Sequence, residues 1–325
     1  MINPNELLRK DIFGIDASEI ARKIEEFIAT EFLVSNRNKI VVPISGGLDS
    51  SVVVALCVRD VGPDKVVGLM LPELFGNPEA NRYGIMIAKS LGIETKKINI
   101  TPAAIGLGGF DPFFSLISGR KYLEKIIARH MAKRSHSAGR DYMAWLQGDL
   151  DKPGRKVVFK VNSKQRIRLL ITYKYADKNN CLVAGSSHQT EVMVGLFCKY
   201  GIDDCADIMP LKNLYRSHIV QLADYLEIPP KIRKRTPNPD IVPGVTDKYR
   251  GYFGLTSELV ELIIVGYLNN IAPKQIATAL NIDDDKVEAV ILAIELSEPM
   301  RNHSRAPGFD FYWSKPSKPK KTSRV

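Results

Sequence analysis

This sequence predicts an α/β fold: a doubly wound, mainly parallel sheet with a helical C-terminal part and an extended insertion. Three observations carry the prediction. Short apolar runs alternate with amphipathic helical segments through the first hundred residues. The first run ends in a glycine- and serine-rich turn that opens directly into a second apolar segment. The same alternation returns near residue 162 after a break. Sheets built this way bind ligands in a crevice at the carboxyl ends of their strands.

The elements follow in order. In residues 17–33, Ile20, Ile24, Phe27, Ile28 and Phe32 share one helical side. Residues 39–44 read as a first strand, and Val52-Val53-Val54-Ala55-Leu56-Cys57 as a buried helix after the turn. Residues 66–71 form a second strand, 77–90 a helix ended by Leu91-Gly92, and 95–100 a third strand. Residues 102–160 interrupt the rhythm with Gly106-Leu107-Gly108-Gly109, a basic stretch, and the turn Asp151-Lys152-Pro153-Gly154. A helix over 162–177 and the strand Cys181-Leu182-Val183-Ala184 resume it. Residues 257–296 read as all-helical. One domain is expected over 1–310, with the basic insertion at about 102–160. Residues 311–325 are lysine- and proline-rich and read as a disordered tail.

At 325 residues the chain is long enough for a substantial core. No apolar span of membrane length and no signal peptide is evident. Cys57, Cys181, Cys198 and Cys205 form no C-x-x-C pair, and the first two lie in apolar runs. That usage points to a reducing, cytoplasmic setting without a zinc site. The net charge of +10 fits either nucleic acid or polyanionic small molecules. Much of the excess lies in residues 120–140 and in the tail.

The turn itself reads Ser45-Gly46-Gly47-Leu48-Asp49-Ser50-Ser51. Two glycines let backbone approach an anion. Ser45, Ser50 and Ser51 add hydroxyl donors, and the helix start adds free N–H groups. Asp49 belongs in an anion cradle only if a divalent cation shares it. The segment resembles the pyrophosphate loop of the ATP-pyrophosphatase superfamily, whose members split ATP into AMP and pyrophosphate.

Further motifs make the resemblance specific. Gly185-Ser186-Ser187-His188-Gln189-Thr190-Glu191 follows the fourth strand. Phe197-Cys198-Lys199-Tyr200-Gly201, Cys205-Ala206-Asp207, Asn213-Leu214-Tyr215-Arg216 and Thr236-Pro237-Asn238-Pro239-Asp240 come after it. The chain resembles the ammonia-dependent NAD synthetases over roughly residues 17–310, apart from 102–160. The resemblance implies an adenine nucleotide α-hydrolase-like, Rossmann-like fold. It implies an amide ligase that adenylates the nicotinate carboxylate of deamido-NAD with ATP as co-substrate, then replaces AMP with ammonia.

The resemblance also implies residue roles. Asp49 and Glu191 would hold Mg2+ and carry catalysis. Ser45, Gly46, Gly47, Asp49, Ser50, Ser186, Arg216 and Asn238 would bind ATP. Arg166, within Asn162-Ser163-Lys164-Gln165-Arg166-Ile167-Arg168, would bind the dinucleotide with Lys199, Asp207 and His303. In the family that helix lies at a homodimer interface, and apolar faces at 17–33 and 165–176 suit an isologous dimer. No glutaminase motif precedes the loop, so ammonia is expected from solution or from a separate glutaminase.

The chain departs from the family pattern at several points. Pro43 replaces a glycine before the loop and removes one N–H. Ser186 stands for a threonine, Arg216 for a lysine, and Asn238 for a small hydroxyl residue. Ser304 stands where a substrate-binding lysine is usual. After Asp247 the acidic run becomes Lys248-Tyr249-Arg250. Lys248, Arg250 and the basic cluster Arg120 to Arg140 are expected to cover the acceptor end and offset the lost lysine. A ligase amidating another carboxylate, or a tRNA-modifying ATP pyrophosphatase, therefore stands beside the NAD reading. A non-catalytic nucleotide sensor is a further alternative, should Pro43 disable the loop. Ala272 onward scans like a helix-turn-helix, but Asp283-Asp284-Asp285 would meet DNA phosphates badly, so nucleic acid is not the expected partner.

Overall fold

The computed structural model describes residues 4–74, 76–108, 142–144, 146–148, 154–238 and 247–301. The expected insertion at 102–160 lies largely outside them, and the expected tail at 311–325 lies wholly outside them.

After two short turns of helix at Pro4–Leu7 and Lys10–Phe13, the main elements are α1 (Ala17–Ser35), β1 (Lys39–Pro43), α2 (Leu48–Val61), β2 (Val66–Met70), α3 (Pro78–Leu91) and β3 (Glu94–Lys97). They continue with α4 (Gly154–Asn179), β4 (Cys181–Val183), α5 (Gln189–Met193) and α6 (Arg216–Tyr225). The C-terminal part holds α7 (Lys248–Phe253), α8 (Ser257–Leu268), α9 (Pro273–Leu280) and α10 (Asp284–Leu296). The four strands pair in parallel in the order β3-β2-β1-β4. The chain thus runs outward from β1 to β3, then crosses back to place β4 on the other side of β1. The connections after β1 and β4 diverge there, and a crevice opens between them.

Local sequence explains most boundaries. Asp16 caps α1 by accepting from Glu19 N at 3.0 Å, and Asn36 ends the helix at φ 51°. Helices cover both faces of the sheet at β1, so Ile40, Val41 and Val42 are all buried and run as consecutive apolar residues. All residues from Leu48 to Cys57 except Asp49 are buried in α2. Helices α1, α3 and α6 and the sheet enclose it.

Two boundaries differ from expectation. β3 stops at Lys97 rather than residue 100. Ile98 and Ile100 still donate to Met70 O and Pro72 O, but Pro72 has no N–H to return a bond, so the ladder ends. α4 begins at Gly154, eight residues earlier than the apolar pattern indicated, where a turn had been expected. Its first turns carry Val157, Val158, Phe159 and Val161 beside Arg155 and Lys156, a run without a clean 3.6-residue period.

The C-terminal region is helical as expected. Val260, Ile263, Ile276, Val287, Val290 and Ile294 form a second core there. The α9–α10 pair turns its apolar face onto α8. Cys57, Cys181, Cys198 and Cys205 are free thiols, and the first three are buried. Among the described residues no helix is long and apolar enough to cross a membrane.

Candidate active site

The loop after β1 is held by its own side chains. Ser45 Oγ accepts from Gly47 N and lies 3.2 Å from Ser50 Oγ. Ser51 Oγ donates to Gly47 O at 2.7 Å. Gly46 has φ 74°, and a Cβ there would stand 2.3 Å from Ala80 O of α3. Gly47 caps α2 with extended backbone (φ −83°, ψ 170°) and leaves the first N–H groups of that helix facing the crevice. Arg235 donates to Gly46 O at 2.6 Å and stacks over the Tyr83 ring at 4.8 Å, clamping the loop to α3. Arg235 carried no motif signal in the sequence.

Pro43 ends β1. Ile44 N donates to Leu69 O, so by alternation the missing Pro43 N–H points toward β4. β4 has already ended there: the last pairing is Val41 with Val183. The proline interrupts no named ladder bond.

β4 delivers the second half of the site. Asp49, His188 and Glu191 each offer a ligand atom, and these atoms lie within 4.8 Å of one another. His188 is fully buried, and neither ring nitrogen has a hydrogen-bond partner among the described residues. Burial pushes its pKa down to about 3, so the imidazole is neutral. Two cations face the carboxylates. Arg216 Nη1 lies 3.1 Å from Asp49 Oδ1, and Lys248 Nζ contacts Glu191 Oε1. Burial raises the Asp49 carboxyl, but Arg216, His188 and Lys248 outweigh it and hold the group below its usual range. Burial lowers Lys248 to about 8, against the pull of Asp49.

A cavity of about 270 Å³ opens onto Asp49, Glu191 and Lys248. Ser45, Gly47, Asp49, Ser50, Ser186, Glu191, Asn238 and Lys248 line it. Another part of its wall is polar and was not recognised from sequence. Glu73 accepts from Lys164 at 2.6 Å and from Arg168 at 2.8 Å. Arg168 also donates to Gln165 Oε1 at 2.7 Å, and Gln165 donates to Asp203. The available signal was the i, i+4 spacing of Lys164 and Arg168, which puts both on one side of α4.

Behind the carboxylates lies Glu261 of α8, with no exposed surface. It accepts from Thr190 Oγ1 at 2.8 Å and from both Ser217 N and Ser217 Oγ. Thr190 Oγ1 in turn accepts from Arg216 N at 3.0 Å. One buried acid therefore ties the starts of α5 and α6 together, beside Glu191 and Arg216. Burial raises its pKa, against the hydrogen bonds from Ser217 and Thr190.

The residues read from sequence fall into distinct groups. Ser45, Gly47, Asp49, Ser50, Ser186, Glu191 and Asn238 share the cavity, and Arg216 joins them through Asp49. Gly46 turns toward α3 instead. Arg166 and Lys199 meet each other outside the cavity lining: Arg166 donates to Lys199 O at 3.2 Å, and Lys199 Nζ donates to Pro299 O at 2.8 Å. Asp207 accepts from Tyr173 Oη at 2.9 Å and Val183 N at 2.8 Å, fixing the end of β4. His303 lies outside the described residues. Lys248 is placed against Glu191 rather than beside Arg166, while Arg250 is solvent-facing and 3.8 Å from Asp247.

Two carboxylates and a neutral imidazole form an oxygen and nitrogen donor set that fits a divalent cation. The unpartnered, buried ring of His188 is consistent with such a fit. Free helix N–H groups, serine hydroxyls and flanking cations suit a polyphosphate.

Comparison with known proteins gives a consistent picture. The NAD synthase family model matches residues 20–108 and 125–304. An NH(3)-dependent NAD(+) synthetase of Thermotoga maritima is 32% identical over 292 residues, covering 87% of this chain and 94% of that protein. One from Methanocaldococcus jannaschii is 31% identical, covering 91% of this chain and 99% of that one. Among solved structures, an NMN synthetase from Francisella tularensis superposes with a TM-score of 0.66 at 23% identity, over 91% of this chain and all of that one. That likeness concerns the fold.

Proposed function

Because the chain belongs to the NAD synthase family, we propose that this cavity performs the family's two-step reaction, with the residue roles set out below. The protein is an ATP-dependent amide ligase that converts deamido-NAD to NAD with ammonia. The observation that carries the site assignment is the convergence of the Ser45–Ser50 loop with Asp49 and Glu191 on one cavity, with a His188 ring nitrogen within 4.8 Å of both carboxylates.

A carboxylate resists attack by ammonia, so it must first gain a leaving group. A nicotinate carboxylate oxygen attacks the α-phosphorus of ATP, and the bond to the β-phosphate oxygen breaks. Pyrophosphate leaves with the electron pair. Ammonia then adds at the acyl carbon, AMP departs, and a proton is released. The loop N–H groups, Ser45 and Ser50 bind and orient the phosphates. Ser186 and Asn238 complete the nucleotide wall. Arg216 places its guanidinium fork beside Asp49, where negative charge gathers. Asp49 and Glu191, with His188 between them, would hold Mg2+, which when bound neutralises phosphate charge. Arg166, Lys199 and His303 are assigned to the acceptor dinucleotide, and Asp207 supports that side by fixing β4.

The assembly we propose is a cytoplasmic homodimer. Phe159, Arg166 and Leu170 recur at intervals of seven and four residues on α4, making one stripe. Phe159 is 55% and Leu170 66% exposed, a large apolar exposure for a helix in water.

The test is incubation with ATP, magnesium, ammonium and deamido-NAD, with pyrophosphate and NAD measured separately. Both products are expected in equal amounts. Asp49→Asn and Glu191→Gln should each remove pyrophosphate release while leaving the melting curve near wild type. Near-wild-type release at limiting magnesium in either variant would discard its ligand role. ATP consumption only with another carboxylate would reject deamido-NAD as the acceptor.

A further inference from the structure

The fold carries Lys248 into the cavity. Asp247 caps α7 by accepting from Tyr249 N and Arg250 N, both at 3.0 Å. Tyr249 is fully buried beneath it, and Lys248 Nζ lies 5.4 Å from that ring centre. The anchored neighbour and the capped backbone fix where the lysine side chain starts. It is 8% exposed, lines the cavity and contacts Glu191.

The charges of this cluster balance without any ligand. Asp49 and Glu191 supply two negative charges, and Arg216 and Lys248 two positive ones. Each acid has one nitrogen cation against it. A divalent cation entering among Asp49, His188 and Glu191 would meet the Lys248 ammonium at the same carboxylate. Two like-charged groups cannot share Glu191 at contact distance without strong repulsion. Lys248 has four rotatable bonds and a strongly hydrated head, so it can swing from the carboxylate to an incoming phosphate.

We propose that Lys248 is an additional phosphate-binding residue: it holds Glu191 in the nucleotide-free protein and transfers to the ATP phosphates when the metal takes its place. There it offsets charge on the departing pyrophosphate during adenylation. The lysine thus acts at the leaving-group end, and the acceptor dinucleotide is bound elsewhere. This rests on the cavity being the ATP site.

The experiment compares wild type with Lys248→Met and Lys248→Arg. Methionine keeps the apolar stem beside Tyr249, and arginine keeps the charge. Binding of Mn2+ alone to the nucleotide-free protein is measured by calorimetry. Lys248→Met should bind Mn2+ about tenfold more tightly or better, because a competing cation is gone. Steady-state kinetics should show the ATP KM raised about ten- to a hundred-fold, the loss of one charged hydrogen bond. The deamido-NAD KM should change less than threefold. Lys248→Arg should lie nearer wild type in ATP KM. Unchanged or weaker Mn2+ binding in Lys248→Met overturns the exchange, and an unchanged ATP KM, or a rise confined to deamido-NAD, overturns the phosphate role. Failure of the ATP-site reading itself shows separately, as wild type releasing no pyrophosphate.

Discussion

Gly46 and Gly47 are adjacent in the loop, yet packing constrains only one of them. Gly46 combines a positive φ with a backbone oxygen 2.3 Å from where a Cβ would sit. Gly47 has an allowed φ, and its Cβ would meet only the Ser45 hydroxyl at 3.2 Å. Gly46→Ala should therefore cost about 2–4 kcal/mol of stability even without ATP. Gly47→Ala should cost about 1 kcal/mol or less and act mainly through the phosphate site. Urea unfolding of the two variants separates these effects. His188 supplies a pH test at the same scale. Its folded pKa of about 3 lies below the usual 6.5, so between these values the unfolded chain binds more protons. Stability from this residue is full above pH 6.5 and is lost as pH falls toward 3. In EDTA, the Tm of His188→Gln should decline less steeply than that of wild type across this window. Parallel declines would mean that the ring is not kept neutral.

At the scale of elements, the site depends on how helix starts are fixed. α5 has five residues and cannot set its own direction. Glu261 does so by bonding Thr190, and it fixes α6 through Ser217. Glu261→Ala would leave the buried Thr190 and Ser217 donors short of an acceptor. We expect a loss of about 2–4 kcal/mol in urea unfolding. The same variant should lower kcat more than it raises the deamido-NAD KM, because Glu191 and Arg216 lose their shared support. A kcat equal to wild type would leave Glu261 as packing alone.

For the whole molecule, two features matter: the return of β4 beside β1 and the exposed stripe on α4. The first brings Asp49 and Glu191 together across about 140 residues of chain. The second bears on assembly. Leu170→Asp puts a charge on the stripe without disturbing a buried contact. It should shift sedimentation from dimer to monomer at micromolar concentration and weaken deamido-NAD binding, with ATP-site metal affinity unchanged. Wild type that sediments as a fully active monomer would remove the dimer.

Much of this protein was legible in its sequence because the signals were local. Strand and helix periodicity, the glycine turn and the helix starts depend on residues a few positions apart, so β1, α2, β2, α3 and the Ser45–Ser50 loop were readable. Asp49 and Glu191 were legible through motifs, since each lies within an ordered run following a strand. The tertiary structure alone decided the rest. Gly46 is constrained by α3 and Glu261 by α5 and α6; neither contact leaves a pattern in nearby sequence. Lys248 shows the same limit most clearly. Its identity was conspicuous, but its partner is 57 positions away, and which end of the cavity it reaches depends on the cap at Asp247 and the burial of Tyr249. A charge can be read from the chain, but what it neutralises is set by long-range packing.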